Sequence, residues 1–172
     1  DSNSVDTFSV FGFDQADAKI NGLEVAVTVN PPTAKWFKLQ LSYAFIEGKF
    51  NSGGYLPYIP ANKLMAALTI SGEKMNYVYK PFVSVLARNY SERKNVAESE
   101  LTNEGYLLLD FQIGGSFRWG KQLFDIEVSA NNLLNTNYFN QFSLTRSLGP
   151  NGVYDMGRNV SLQLHIPFGL NK

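Results

Sequence analysis

Cysteine and long apolar runs are both absent from this sequence, and charged residues are scarce. The absence of cysteine from the 172 residues excludes a disulfide scaffold and a thiolate metal site. No apolar run reaches the roughly 18 residues that a membrane-spanning helix needs. Charged residues make up 17% of the chain, against roughly 25% in soluble domains. Fifteen basic residues balance fifteen acidic ones, and this balance gives no sign of a nucleic-acid partner.

Strand-like alternation replaces helical periodicity along nearly the whole chain. The stretch GYLLLDFQIGGSFRW at 105–119 is apolar at most of its alternate positions, as a two-faced strand requires. About seven to eight long antiparallel strands are predicted, at 23–30, 37–45, 63–71, 77–90, 105–119, 124–131 and 159–168, with a possible opening strand at 5–13. In segment 77–90, Phe82 and Leu86 share one face while Val83 and Val85 share the other, which leaves its orientation open.

The joints between these strands alternate strictly between short and long. The short joints are 30–35, 72–76 and 120–122, and the long joints are 48–61, 91–104 and 134–156. In an antiparallel meander, this alternation places every short turn at one end and every long loop at the other. Outer-membrane barrels have this organisation, with short periplasmic turns and long extracellular loops.

Strand length and aromatic residues also favour a strand that faces lipid. Several predicted strands reach about twelve residues, whereas soluble strands centre on five or six and a tilted membrane strand needs about nine to eleven. Aromatic residues gather near strand ends, as interfacial girdles require. A soluble barrel with its apolar face inside fits the same alternation, so that alternative stays open. We therefore predict an all-β, antiparallel up-and-down transmembrane β-barrel portion.

Five motifs carry a family resemblance. In chain order they are QADAKINGLEV (15–25), YLPYIPANKL (55–64), GYLLLDFQIG (105–114), VSANNLLNTNY (128–138) and GRNVSLQLHIPF (157–168). Together they resemble the closing strands of a TonB-dependent outer-membrane receptor, on the branch that handles iron-siderophores, haem or similar small chelates. MGRN followed by IPF is similar to Bacteroidetes-type members. The resemblance implies that 1–172 is a single barrel segment from which the plug is absent.

The resemblance also implies a location and a set of partners. The location is the outer membrane of a Gram-negative bacterium. The partners are outer-membrane lipid, a small-molecule chelate substrate, the barrel-assembly machinery, and the TonB complex through a plug outside this chain. Because DSNSVDTF is no signal peptide, we expect a processed product or a fragment. The free edges of such a fragment would close on each other or pair with another copy.

Several motif residues are expected to have structural roles. Pro57 and Pro60 lack an amide donor, so they end strand pairing and aim the loop into the strand that starts near Asn62. The asparagine cluster NNLLNTNY marks a turn at the top of the penultimate strand.

The final strand has its own markers. Gly157, Arg158 and Asn159 begin it, and an arginine there is more often paired with a barrel carboxylate than with a ligand. Phe168 ends it and resembles the C-terminal aromatic signal of such barrels, although GLNK follows.

Ligand contacts are expected in the long loops. Tyr55, Tyr58, Arg93 and Arg146 are plausible ligand-facing residues, although each is more often a solvated loop residue. Catalysis has little support, because His165 is the only histidine and no nucleophile–base signature accompanies it. We predict a non-enzyme with no cofactor and no metal site of its own.

These features favour part of an outer-membrane active-transport receptor for a scarce nutrient. The chain would supply barrel wall and extracellular loops. A complete small eight-stranded outer-membrane barrel with a structural or adhesive role is the first alternative, because about eight strands enclose an interior that side chains can fill. A soluble, lipocalin-like ligand binder is the second.

Overall fold

The described part of the chain folds as one antiparallel sheet. The computed structural model describes residues 15–120, 122–140, 142–143 and 152–167. Its strands are β1 (Ala18–Val29), β2 (Phe37–Phe50), β3 (Lys63–Ser71), β4 (Lys74–Met75), β5 (Val78–Tyr90), β6 (Tyr106–Trp119), β7 (Gln122–Asn131) and β8 (Asn159–His165). The sheet order is β1-β2-β3-β5-β6-β7-β8, and β4 pairs with β5. Within these residues, no helical segment is long and apolar enough to span a bilayer.

This topology confirms the predicted all-β, up-and-down organisation. Seven long strands follow one another along the sheet, each antiparallel to its neighbours. The short strand β4 was not predicted and lies inside the joint assigned to 72–76. The possible opening strand at 5–13 lies outside the described residues. Among the described strands, β1 and β8 do not pair with each other, so the sheet is open at both edges.

Most apolar side chains of the seven long strands lie on one face. Residues directly opposite each other in a ladder point to the same side, and the register places apolar residues opposite one another from β1 to β8. We call this side the apolar face; it includes Val25, Tyr43, Leu64, Val85, Phe111, Val128 and Leu162. Ile113 is 45% exposed and Leu162 is 72% exposed. Among the described residues, Leu108 is the only buried apolar residue, so no hydrophobic core covers this face.

The opposite side, the polar face, is joined by side-chain hydrogen bonds between strands. It includes Ser42, Thr69, Ser84, Asp110, Ser116, Asp125, Ser129 and Gln163. Thr69 Oγ1 lies 3.0 Å from Ser84 Oγ, and Ser116 Oγ donates to Asp125 Oδ1 at 2.6 Å. This face is the less exposed one although each strand contacts only its ladder neighbours. The side chains of this face therefore cover one another across neighbouring strands.

A β-bulge explains the irregular pattern of segment 77–90. Val78 pairs with Phe117, but the ladder shifts before Phe82, so Lys80 and Pro81 lie together opposite Gly115. Lys80 has φ 47°, the left-handed conformation that bulges often contain. Because of the extra residue, the alternation between the two faces shifts by one position between the two ends of β5.

The orientation of β5 follows from the bulge. Val83 and Val85 pair with apolar-face residues of β6, so they lie on the apolar face. Phe82 and Leu86 lie on the polar face, where Leu86 is the partner of Asp110. β5 therefore carries apolar residues on both faces and still pairs with β3 and β6 in the same sheet.

The connections are sorted by length, as predicted. The short-turn end carries the joints at 30–36, 72–77 and 120–121, and the long-loop end carries those at 51–62, 91–105 and 132–158. Trp36, Tyr77 and Trp119 lie at the short-turn end with their side chains largely exposed, Trp119 by 82%. Their position matches the aromatic belt of a membrane interface.

Candidate functional site

Glu100 ties two of the long loops together. Its Oε1 accepts a hydrogen bond from the Tyr58 backbone N–H at 3.0 Å, and its Oε2 lies 2.7 Å from Arg93 Nη2. Burial alone would raise the pKa of Glu100, but the Tyr58 N–H and the Arg93 guanidinium outweigh it and hold that pKa below its ordinary value. The loops at 51–62 and 91–105 are thereby joined through a charged, hydrogen-bonded carboxylate.

Arg93 lies inside this loop assembly. It is 8% exposed and both terminal nitrogens contact Glu100. Its backbone also forms two hydrogen bonds with Asn103, at 2.7 and 3.1 Å, and Asn103 Nδ2 donates to the Phe139 carbonyl at 3.0 Å. The third long loop is thus attached to the second, and Arg93 lies where it supports the loops. Its predicted contact with ligand stays a prediction.

A cavity of about 290 Å³ lies between the first two long loops, and its lining includes Tyr55, Pro60 and Arg93. Tyr55 is held by a backbone bridge to Lys49, whose Nζ lies 5.2 Å from the tyrosine ring. The loop closes down on Gly48, where an added Cβ would come within 2.8 Å of an Ile59 side-chain atom. The loop therefore packs directly against the strand at Gly48.

The other predicted loop contacts lie elsewhere. Tyr58 is outside this cavity, with an exposed side chain and φ 61°. Arg146 lies outside the described residues. Among the four predicted contacts, the structure therefore brings Tyr55 and Arg93 together and leaves Tyr58 at the surface.

A second cavity, of about 320 Å³, is lined by aromatic side chains that were not singled out from the sequence. They are Tyr106, Tyr138, Phe139 and Tyr154. Tyr106 stacks on Tyr90 at 4.6 Å between ring centroids and contacts Tyr138 at 4.8 Å, while Phe139 stacks on Tyr154 at 4.3 Å. Burial, and then Asp155, raise the pKa of Tyr138. The pair YF at 138–139 was the available sequence signal.

Asp110 is the centre of a buried network that sequence reasoning also missed. One carboxylate oxygen pairs with Arg88 and the other accepts the Asn132 N–H at 2.9 Å. Asn132 is 3% exposed with φ 50° and exchanges two 2.9 Å hydrogen bonds with Thr136. The NNLLNTNY motif is therefore a tightly bonded turn anchored to the polar face.

The remaining motif residues lie at strand entries. Pro57 and Pro60 precede β3, which begins at Lys63. The Arg158 N–H donates to Asn135 Oδ1 at 3.0 Å. Among the described residues the Arg158 guanidinium forms no ion pair, contrary to the expected pairing with a carboxylate.

Two more of these residues belong to the last strand. Asn159 begins β8, and its Oδ1 accepts a hydrogen bond from Asn131 at 3.0 Å. Gly157 approaches Asn135, whose Oδ1 would lie 3.0 Å from an added Cβ. Phe168 lies outside the described residues.

His165 hydrogen-bonds across the polar face. Its Nδ1 lies 3.2 Å from Asp125 Oδ2, and Ser116 donates to the other oxygen of the same carboxylate. Here the carboxylate lies between the histidine and the serine, so the histidine cannot take the serine proton as a nucleophilic triad requires. In the described ranges, no group of three or more histidine, cysteine, aspartate or glutamate residues is arranged to hold a metal ion.

Comparison with solved structures finds a similar fold. A part of the copper transporter OprC resembles this chain, with a TM-score of 0.70 and 19% identity over 89% of this chain. The chain spans 24% of that protein's length, and at this identity the likeness shows the fold alone. No family model and no curated protein matches the sequence.

Proposed function

We propose that this chain is a wall segment of an outer-membrane receptor that takes up a scarce nutrient. The observation that carries the proposal is the bare apolar face opposite a hydrogen-bonded polar face. A continuous apolar surface of this extent is costly in water, whereas lipid-facing barrel strands require it. The polar face would then line the lumen, and the three long loops would face the cell exterior.

The finer parts of the proposal rest on the motifs. Residues 1–172 form a single barrel segment, the closing strands of a larger barrel whose plug lies elsewhere in the gene product. MGRN and IPF support a Bacteroidetes-type member. The cargo is a small chelate, such as an iron-siderophore or haem, or a copper complex as the name of the similar transporter suggests. The plug would engage the TonB complex, and the assembly machinery would insert the barrel into outer-membrane lipid.

Both alternatives are less well supported. A soluble lipocalin-like binder would bury its apolar residues in the interior of the barrel, whereas the apolar face of this sheet is exposed. A small closed barrel would pair β1 with β8, and these strands are unpaired in the described chain. In the proposed larger barrel the edge strands β1 and β8 pair with the other strands of that barrel, whereas the segment alone would pair through these edges with another copy.

Cell-surface labelling tests the orientation. An epitope inserted between Gly53 and Gly54 in the first long loop is expected to be accessible to antibody on intact cells. The matched control is the same epitope at Gly120 in a short turn, which is expected to be accessible only after permeabilisation. Gly53, Gly54 and Gly120 all have open space around an added Cβ, so both insertions are sterically tolerated.

The labelling result separates the alternatives. Equal accessibility of both epitopes on intact cells, or recovery of the protein without detergent, would overturn the proposal. The cargo is tested separately, by growth of a deletion strain on ferric siderophore, haem or a copper chelate as sole metal source. A specific growth defect with one of these compounds identifies the substrate class.

A further inference from the structure

Two cationic side chains share one tyrosine ring at the short-turn end of the polar face. Lys74 Nζ lies 5.0 Å from the centroid of the Tyr79 ring, and Arg118 Cζ lies 5.3 Å from the same centroid. Lys74 is the direct ladder partner of Tyr79 on β4. Tyr79 pairs with Ser116 on β6, which places Arg118 diagonally beside it. The three side chains thus come from three neighbouring strands.

Neither cation has a carboxylate partner. In the described part of the chain, no ion pair includes Lys74 or Arg118. The Asp125 carboxylate on the adjacent strand is engaged by Ser116 at 2.6 Å and His165 at 3.2 Å. The two cations beside Tyr79 therefore have no carboxylate partner among the described residues, and a bound anion would supply one.

We propose that Lys74, Tyr79 and Arg118 form an anion site that binds a carboxylate or phosphate group. The lysine and the guanidinium supply charged donors, and the phenol O–H supplies a third donor. The anion comes either from solution or from an acidic side chain elsewhere in the gene product that lies against the polar face. The site does not depend on which nutrient the protein carries.

The long-loop end of the same face offers a matched contrast. Lys63 Nζ lies 5.5 Å from the centroid of Tyr90, but Tyr90 stacks on Tyr106 instead of meeting a second cation. The cation diagonally beside Lys63 is Arg88, which is already paired with Asp110, so the positive charge at this end has a carboxylate partner. Lys63→Gln is therefore the control for charge loss at a tyrosine of this face.

The first arm of the test is calorimetric titration of the complete gene product in detergent with inorganic phosphate. We expect the double variant Lys74→Gln/Arg118→Gln to weaken phosphate binding at least tenfold, while Lys63→Gln leaves it unchanged. Retained heat-modifiable migration on gels verifies that each variant is folded. Equal phosphate affinity in the wild type and the double variant would exclude a dissolved anion at this site.

The second arm identifies an anion supplied by the protein itself. A zero-length carbodiimide couples a lysine amine to a carboxylate in contact, so mass spectrometry is expected to find Lys74 joined to an aspartate or glutamate if that source is correct. Phosphate binding without the cross-link assigns a dissolved anion, and the cross-link without phosphate binding assigns an internal carboxylate. If phosphate binding does not depend on Lys74 and Arg118, and no cross-link forms at Lys74, the proposal is wrong. Surface labelling of the epitopes is unaffected by either result.

Discussion

The two faces of this sheet reverse the usual arrangement of a protein domain. On the apolar face, side chains such as Leu162 contact little beyond their strand neighbours. On the polar face, Arg88 pairs with Asp110 and Ser116 with Asp125. Polar contacts therefore join the strands on the polar face. On the apolar face Phe117 and Phe124 stack across β6 and β7, but most side chains there are exposed and available to lipid.

Removing the central polar contact should have the largest effect. Asp110→Ala leaves the Arg88 guanidinium and the Asn132 N–H without their acceptor. Loss of one partner of a buried ion pair costs about 3 to 5 kcal/mol, so we expect a large drop in the temperature at which the complete gene product loses its compact gel mobility. His165→Asn is the control. Its pair with Asp125 is exposed to solvent, so we expect a much smaller change in that temperature. If Asp110→Ala and His165→Asn melt at similar temperatures, the buried polar contacts are not a main source of stability for this sheet.

A charge placed on the apolar face should have the next largest effect. Ile113 and Gln112 are neighbours halfway along β6 that point to opposite faces. Ile113→Arg would place a charge at mid-membrane depth, at a cost of about 2 to 4 kcal/mol, whereas Gln112→Arg should be close to neutral. The measurement is refolding equilibrium into lipid vesicles as denaturant is diluted. If Gln112→Arg is the more damaging change, the apolar face does not meet lipid.

Acid should loosen the loops before it affects the sheet. The folded pKa of Glu100 lies below its ordinary value of 4.5, so its stabilisation is complete above that value and is lost as pH falls through the lowered pKa. Protease cleavage within the first two long loops should therefore rise as pH falls below 4.5. In Glu100→Gln, where hydrogen bonds to a charged group worth about 1.5 to 3 kcal/mol are weakened, cleavage should be high already at pH 7 and independent of acidification. A wild-type loop resistant to cleavage at pH 3 would argue against this role.

Adjacent glycines provide the finest comparison of the faces. At Gly114, on the polar face, an added Cβ would lie 2.8 Å from the Ile126 carbonyl oxygen, which is backbone. At Gly115, on the apolar face, the nearest atom is Val78 Cγ1 at 2.6 Å, and the nearest backbone atoms, Pro81 Cα and the Tyr79 carbonyl oxygen, lie farther away at 3.3 Å. Gly114→Ala should cost about 1 to 3 kcal/mol and Gly115→Ala less. The thermal gel-shift midpoints of the two variants show which substitution costs more stability. A larger loss for Gly115→Ala than for Gly114→Ala would contradict this expectation.

Sequence alone could predict the features that depend on local alternation. The two faces and the sorted loops follow from a period of two and from joint lengths, and both are confirmed. The orientation of β5 could not be predicted, because the conformation of Lys80 is set by the opposing strand. The burial of Arg93 depends on Glu100, seven positions away across a folded loop, and the Tyr106–Tyr138 contact joins the start of β6 to the third long loop. Contacts made only after loops meet leave no periodic signal.

The bulge at Lys80 and Pro81 has a consequence for tolerance of insertions and deletions. If Lys80 were removed, only Pro81 would lie opposite Gly115. Every other side chain of β5 would then stay on its present face. Removing Ser84 from the regular part of the strand would instead exchange inside and outside for all residues on one side of the cut. Chain length can therefore change at the bulge while Tyr79 stays where it is.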